Sequence, residues 1–408
     1  RFAYRAMMDW GIHAVFSLQG QEQEPGDDRF VDVIFENPTI APSQVEFLPK
    51  LSIFSFDIES SKHTDALYCL SIYCTGHDGK ETVHKLIVSD QDLKGAQAFP
   101  DEKSLLEEFV KLVQACDPDI VTGWNVIDFD LALLSRIAKK HKVKLSFGRD
   151  GSEMKTRFES SFFRESSATM TGRLVLDGMH LLKNSFIKLP DYKLATAAKH
   201  FTDDKKLIES EGKQKYEEID ELYRSDKQAL LEYNLMDAKL VTDILDRSGA
   251  LELTVKRSLL TGMPLDRVTA SIASLDSLYL RELRERGFVA PVVKNRKRDS
   301  EGMGGFVMTS KPGIYDYVIV CDFKSLYPSI MRTFNIDPLM FVDEEHASKD
   351  LIHAPNGAYF KRELGIVPGL INKFWDAREE ARKKNDELAR YAIKIHMNSM
   401  YGVLASPN

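Results

Sequence analysis

The chain has 408 residues, more than one hydrophobic core usually organises, so two or three domains are expected and a single small module is excluded. Hydrophobic residues make up 43% and charged residues 29%, ordinary globular usage, and no stretch approaches the roughly 18 apolar residues of a membrane-spanning helix. Lys plus Arg number 55 against 62 for Asp plus Glu, a net charge of -7, so any site for a polyanion must be local.

Residues 1–48 mix short apolar runs with Gly26, Pro38 and Pro42 and read as a few strands and loops. From Leu51 the pattern becomes β/α alternation, with strands near 51–59, 67–74, 82–88, 119–124 and 173–177 and helices near 103–115 and 130–141. Cys69, Cys74, Cys116 and Cys321 form no C-x-x-C pair, which predicts neither a zinc knuckle nor a disulfide framework and fits a reducing cytoplasm. The charge-dense run 201–227 reads as a solvated helix or loop, and helical periodicity resumes over 229–247. A helix-rich stretch covers 250–287. Lys294, Arg296, Lys297 and Arg298, followed by Gly302, Gly304 and Gly305, then mark a basic joint and a boundary near 290. Beyond it the sequence predicts a strand over 317–321, an irregular region over 336–368 and one long helical end from Asn372 to about Met400.

Three segments of the first half carry acids at telling places. Along Ile53 to Glu59 a period of two puts Asp57 and Glu59 on one face with Ile53 and Ser55, opposite Phe54, Phe56 and Ile58. Neighbouring carboxylates repel unless solvated or bridged by a cation, and hard oxygen donors suit Mg²⁺ or Mn²⁺. An isolated D-x-E pair is more often a water-facing surface. Residues 119–130 (DIVTGWNVIDFD) run from an apolar strand through a Gly-Trp-Asn turn into a helix opened by Asp130, a residue that alone would read as a helix cap. Tyr233 and Asp237 lie four apart on one helix face.

FDIES, GWNVIDFD and YNLMD, in this order, resemble the three exonuclease motifs of family B DNA polymerases. The resemblance implies that Asp57, Glu59, Asp130 and Asp237 bind the metals of a 3′-to-5′ proofreading nuclease, that Tyr233 places the attacking water, and that Asp128 is a bystander. Two divalent ions about 4 Å apart would activate that water and stabilise the leaving 3′ oxygen.

The second half has its own signature. An apolar run ends in Asp322, and Pro328 is expected at a first helical position. The segment DFKSLYPSI is similar to polymerase motif A, and KIHMNSMYG resembles motif B of the fingers. By that likeness Asp322 and the carbonyl of Phe323 hold catalytic Mg²⁺, and amides over Lys324, Ser325, Leu326 and Tyr327 cradle a triphosphate. Tyr327 becomes the steric gate against a ribose 2′-hydroxyl. Lys394 meets the triphosphate with Asn398 beside it, Tyr401 and Gly402 pack on the nascent base pair, and Arg378 falls where the family carries a triphosphate-binding arginine. By spacing alone, Arg378, Arg382, Arg390, Lys394 and Asn398 recur at multiples of four along one drifting helix stripe, whose usual meaning is a solvated basic face. Gly302 to Val307 resembles the family's Y-x-G-G linker, with Gly302 in place of the Tyr.

The fold expected is α/β and α+β multidomain, a ribonuclease H-like 3′-5′ exonuclease domain followed by partial palm and fingers. The boundaries expected are 1–48 for the remainder of an N-terminal domain, 49–265 for the exonuclease, 266–290 for a helical connection, 291–371 for partial palm and 372–408 for partial fingers. The family's second polymerase carboxylate motif and thumb lie C-terminal to motif B, so the sequence reads as a fragment of a DNA-directed DNA polymerase. The partners implied are primer-template DNA, single-stranded 3′ ends, deoxynucleoside triphosphates and a sliding clamp reached through the C-terminus, with two Mg²⁺ or Mn²⁺ ions per active site. A monomer in a bacterial cytoplasm, at the nucleoid and away from any membrane, completes the expectation. Two rivals are a stand-alone Mg²⁺-dependent exonuclease with a DNA-binding second domain and a non-catalytic DNA-binding relative; motifs A and B argue against the first, and the intact acids against the second.

Overall fold

The computed structural model describes every residue except 1, 13–14, 27–30, 32, 44–48, 160–165, 203–212, 292–307 and 405–408. Two compact units emerge, one from 15–255 and one from 1–14 with 256–408. The basic joint and the Gly-rich linker fall outside the described residues. Residues 2–9, expected to be strand or loop, instead form helix α1 (Phe2–Asp9) of the second unit.

In the first unit β1 (Phe16–Gln23) and β2 (Ile34–Pro42) pair as an antiparallel hairpin. The strands of the main sheet are β3 (Ile53–Ser60), β4 (Leu67–Thr75), β5 (Glu81–Val88), β6 (Gln97–Phe99), β7 (Ile120–Thr122) and, after a small antiparallel pair of β8 (Lys155–Arg157) with β9 (Ser167–Thr169), β10 (Leu174–Val175). Their order is β10-β7-β3-β4-β5-β6. β3 pairs antiparallel with β4 and parallel with β7, the mixed arrangement expected of a ribonuclease H-like sheet.

The helices of this unit are α2 (Glu102–Cys116), α3 (Asp130–His141), α4 (Gly178–Asn184), α5 (Leu194–Phe201), α6 (Lys213–Ser225) and α7 (Lys227–Ser248). α2 starts where the Asp101 carboxylate accepts the Ser104 N–H at 2.8 Å, and it buries Leu105, Leu106, Phe109 and Val113 at helical spacing. Phe109 meets Phe54, Phe56 and Phe147 at ring-centroid distances of 5.3 to 5.9 Å, so the apolar face of β3 is anchored by tilted aromatic pairs. The opposite face lies under α7, which packs along β3 and β4. Ser55 Oγ on that face donates to the carbonyl of Ala238 at 2.7 Å. The carboxylates of β3 therefore face a helix, which removes the water-facing surface reading.

The second unit receives the chain along α8 (Ala250–Thr261) and continues with α9 (Ser271–Glu285), α10 (Leu326–Thr333), a three-stranded sheet of β11 (Phe341–Val342), β12 (Ile352–His353) and β13 (Tyr359–Phe360), and then α11 (Ile366–Lys383) and α12 (Glu387–Leu404). Leu275, Leu278, Ile371, Phe374, Met397 and Met400 are core residues shared by α9, α11 and α12.

Three expectations are corrected here. Residues 317–321 form no strand: the backbone is irregular and Ile319 and Val320 are 85% and 88% exposed, because no described strand lies alongside to take up the ladder hydrogen bonds. Pro328 is the third residue of α10 rather than the first, a position equally free of the need for an N–H. The long terminal helix is two helices. Asn385 adopts φ 56° and the Asp386 carboxylate accepts the Ala389 N–H at 2.9 Å, so a left-handed break and a cap restart the helix.

Candidate functional site

β3 delivers Asp57 and Glu59, and α7, crossing its face, delivers Asp237. One carboxylate oxygen from each lies within 4.8 Å of the other two, the one such group of potential metal-ligating side chains among the described residues. Glu59 and Asp237 are buried. Three carboxylates gathered with two of them buried and Asp57 half-buried are mutually repulsive unless a cation or a charged neighbour offsets them, and the donor set, all hard oxygen, fits a divalent ion of the Mg²⁺ type.

The helix supplies more than Asp237. Asn234, fully buried, donates from Nδ2 to Asp57 Oδ2 at 2.7 Å, while its own Oδ1 has no hydrogen-bond partner in the structure. Tyr233 is also buried. Burial, then the charges of Glu59, Asp237 and Asp57, hold its phenol far above the ordinary range, so it remains a proton donor at any working pH.

Asp130 occupies the first position of α3, behind Phe129, and its Oδ1 accepts the Ile58 N–H at 3.2 Å, between the two acids of β3. It stands outside the group of three. Burial first, and the Asp57 charge second, push its carboxyl well above the usual range, whereas Asp128 is exposed.

Lys215 of α6 is a residue that sequence reasoning missed, because the charge-dense run around it reads as solvated. Its Nζ lies 4.0 Å from Glu59 Oε1 and 5.6 Å from the Tyr233 ring centroid. Burial works against its charge, but Glu59, Asp57 and Asp237 together outweigh burial and raise its pKa, so it stays an ammonium. A Lys215-type signal was legible only as charge composition.

Positioning of Asp57 by Asn234 has a testable size. Asn234→Ala is expected to weaken divalent-cation binding at this carboxylate group by roughly 10- to 100-fold, the usual cost of losing an outer partner of a metal ligand. A Mn²⁺ titration followed by electron paramagnetic resonance measures this.

In the second unit the motif residues sit on exposed surfaces. Asp322 and Phe323 lie on irregular exposed backbone, and Ser325 adopts φ 52° just before α10. Tyr327 of α10 and Tyr401 of α12 stack with ring centroids 4.1 Å apart and planes within 12°, joining the two motifs. Lys394, Asn398 and Tyr401 are exposed at i, i+4 and i+7 of α12, and Gly402 follows with open space where a Cβ would be. Arg378 and Arg382 belong to α11, so the expected stripe is divided between two helices.

His396 points the other way, 4% exposed with Nε2 unpartnered. Burial, then the Arg257 charge, lowers its pKa from 6.5 to about 3. The unfolded chain thus takes up this proton first, so the stability from neutral His396 is complete above the unfolded value and is lost as pH falls from about 6.5 towards 3. Urea unfolding monitored at α12 should show a fall of up to about 1.4 kcal/mol per pH unit in that window, absent in His396→Leu.

Comparison with known proteins places both halves. Residues 31–197 match the model of the DNA polymerase family B exonuclease domain, and residues 268–408 match that of DNA polymerase family B. The chain is 35% identical over 371 residues to DNA polymerase II of Escherichia coli (strain K12), covering 88% of this chain and 46% of that protein. It is 28% identical over 377 residues to a DNA polymerase of Pyrococcus glycovorans, covering 86% of this chain and 47% of that one. It thus spans about half the length of these curated relatives. The solved structure of the family B DNA polymerase from the hyperthermophilic archaeon Pyrobaculum calidifontis superposes with a TM-score of 0.75 at 24% identity, covering 99% of this chain and 53% of that one, a likeness of fold. Among the described residues no helix is long and apolar enough to cross a membrane.

Proposed function

The chain belongs to the family B DNA polymerases, and on that premise we propose that residues 15–255 carry a 3′-to-5′ exonuclease and residues 256–408 carry part of a template-directed nucleotidyl-transfer site. The observation that carries the first reading is the convergence of Asp57, Glu59 and Asp237 within 4.8 Å. Those three carboxylates would hold the divalent ions, with Asp130 completing the set. Such ions, when bound, lower the pKa of a water nucleophile and offset charge on the departing 3′ oxygen.

The remaining work falls to the protein. Tyr233 keeps its proton and offers a hydrogen bond to the attacking water or to a phosphate oxygen. Lys215, kept cationic by the acids, offsets the extra negative charge that a phosphodiester gains in its transition state. Asn234 fixes the rotamer of Asp57 so that its oxygens need little reorganisation.

For the second unit, the stacked Tyr327 and Tyr401 support a nucleotide platform: Asp322 and the Phe323 carbonyl would bind Mg²⁺, Lys324 to Tyr327 would face a triphosphate, and Arg378, Lys394 and Asn398 would surround it. Primer-template DNA and deoxynucleoside triphosphates are the substrates of this reading. A lone nuclease with a binding domain is disfavoured because 268–408 match the polymerase model.

The nuclease test is a 5′-labelled single-stranded oligonucleotide incubated with this chain and Mg²⁺. A ladder shortening from the 3′ end is expected; an uncut strand with folded protein and both Mg²⁺ and Mn²⁺ tried would refute it. On the polymerase side, Tyr327→Ala in a chain of the relatives' full length should raise ribonucleotide incorporation by at least about tenfold, since a steric gate that excludes one hydroxyl contributes of the order of 1–3 kcal/mol. Unchanged sugar selectivity would contradict the gate.

A further inference from the structure

Cys74 and Cys116 lie 42 residues apart in sequence, yet their sulfurs are 3.6 Å apart. Cys74 is buried on β4, and Cys116 is the half-buried last residue of α2. Both line a cavity of about 370 Å³ that also touches Ser52, Thr82 and His84, which gives a small oxidant a way in. Next to Cys116, Arg173 is held almost fully buried by the Phe147 and Pro118 carbonyls, at 2.9 and 3.0 Å, by Gln114 Oε1 at 3.0 Å and by an ion pair with the Asp117 carboxylate at 2.5 Å. A guanidinium fixed in that way is an unusual neighbour for a thiol. It favours the thiolate against the opposing fields of the α2 carboxyl end and of the Asp117 carboxylate. The Cys74 hydrogen bond and then Arg173, against burial, lower the Cys116 thiol to about 7, while the bond to Cys116 and burial raise Cys74.

The geometry points to a reversible redox site: Cys74 and Cys116 close into a disulfide when met by a low-molecular-weight disulfide of the glutathione class. The Cys116 thiolate attacks one sulfur of the oxidant and forms a mixed disulfide, expelling one small thiolate. Cys74 then gives its proton to that thiolate and attacks Cys116 Sγ, and the second small thiolate leaves and takes a proton from solvent. Two electrons pass from the pair to the oxidant, which ends as two thiols.

The bond would join the end of α2 to β4 at Cys74, which is opposite Phe54 in the ladder. Asp57, the first acid of the metal group, is three residues further along β3. The expected consequence is a staple on the nuclease unit, which ties the α2 end to the sheet and leaves the carboxylates alone.

The test treats the 408-residue chain with oxidised glutathione, then maps disulfides after chymotryptic cleavage, which at Tyr73 separates Cys69 from Cys74. A Cys74–Cys116 linked peptide is expected, with a rise of about 5 °C or more in the unfolding midpoint of the nuclease unit that dithiothreitol reverses. Cys116→Ser should lose both changes and keep strand degradation within about twofold, because it leaves the carboxylate group untouched. Exposed Cys321 reports that the oxidant acted. Reaction at Cys321 with Cys74 and Cys116 both still free, or a lasting glutathione adduct on Cys116 beside a free Cys74, would overturn the proposal.

Discussion

Asp57→Ala combined with Glu59→Ala is expected to reduce 3′-to-5′ degradation by roughly a thousandfold or more, with the fold intact. The size follows from what remains: of the proposed ligands only Asp237 on α7 and Asp130 on α3 would be left, with both acids of β3 gone, too few to hold a hard cation against water. The unfolding midpoint should not drop, because the substitution removes two like charges from neighbouring same-face positions of β3. Lys215 loses its nearest acid but still faces Asp237. Single-turnover degradation measured beside a urea midpoint separates the two effects. Activity within tenfold of the unsubstituted chain would remove these acids from the chemistry.

Gly123→Ala is the second large effect, and it acts without touching a charge. Gly123 follows β7 in the turn that leads to Asp130, and a Cβ there would sit 2.6 Å from the Phe56 carbonyl oxygen and 2.9 Å from Val126 Cγ2. The first of these is backbone of β3 immediately before Asp57, so relief requires moving the strand that carries two of the proposed metal ligands. Overpacking of this kind costs about 1–3 kcal/mol. A displacement of β3 of the order of 1 Å at Asp57 should cost about a further hundredfold in rate. The check is activity at a temperature where circular dichroism shows the variant folded. A stable, fully active Gly123→Ala would show that β3 and the turn are not coupled.

Much of this was legible in the sequence, for a definite reason. The strands and helices around Asp57, Asp130 and Asp237 have strong periodicity and clear turn residues, and local rules suffice for them. The gathering of Asp57 and Glu59 with Asp237 depends on α7 packing across β3, with Asn234 lying 177 positions after Asp57, which no local pattern encodes; there the motif resemblance carried the reading. Asn234 was in view, flanked by Tyr233 and Leu235, but its bond to Asp57 exists only once the helix is docked. Lys215 was hidden because a charge run has the same composition whether it meets water or a carboxylate group. Cys74 and Cys116 were hidden by their separation of 42 positions in sequence.

The second half failed in the opposite direction. Val318 to Val320 has the β-branched character of a strand, and the apolar pattern was sound, but a strand needs a neighbour and none of the described strands provides one. The break at Asn385 and Asp386 was marked by a left-handed-tolerant residue followed by a good cap, a signal outweighed in sequence by the helical periodicity on both sides.

Asp57, Glu59 and Asp237 are proposed to hold a cation, and Mn²⁺ binding followed by electron paramagnetic resonance tests this without any assay of activity. Titration of the unsubstituted chain should show tight bound Mn²⁺, and Asp237→Asn, with unchanged circular dichroism, should weaken that binding by at least about tenfold. Equal Mn²⁺ affinity in the two proteins would mean that the three carboxylates gather for some purpose other than metal.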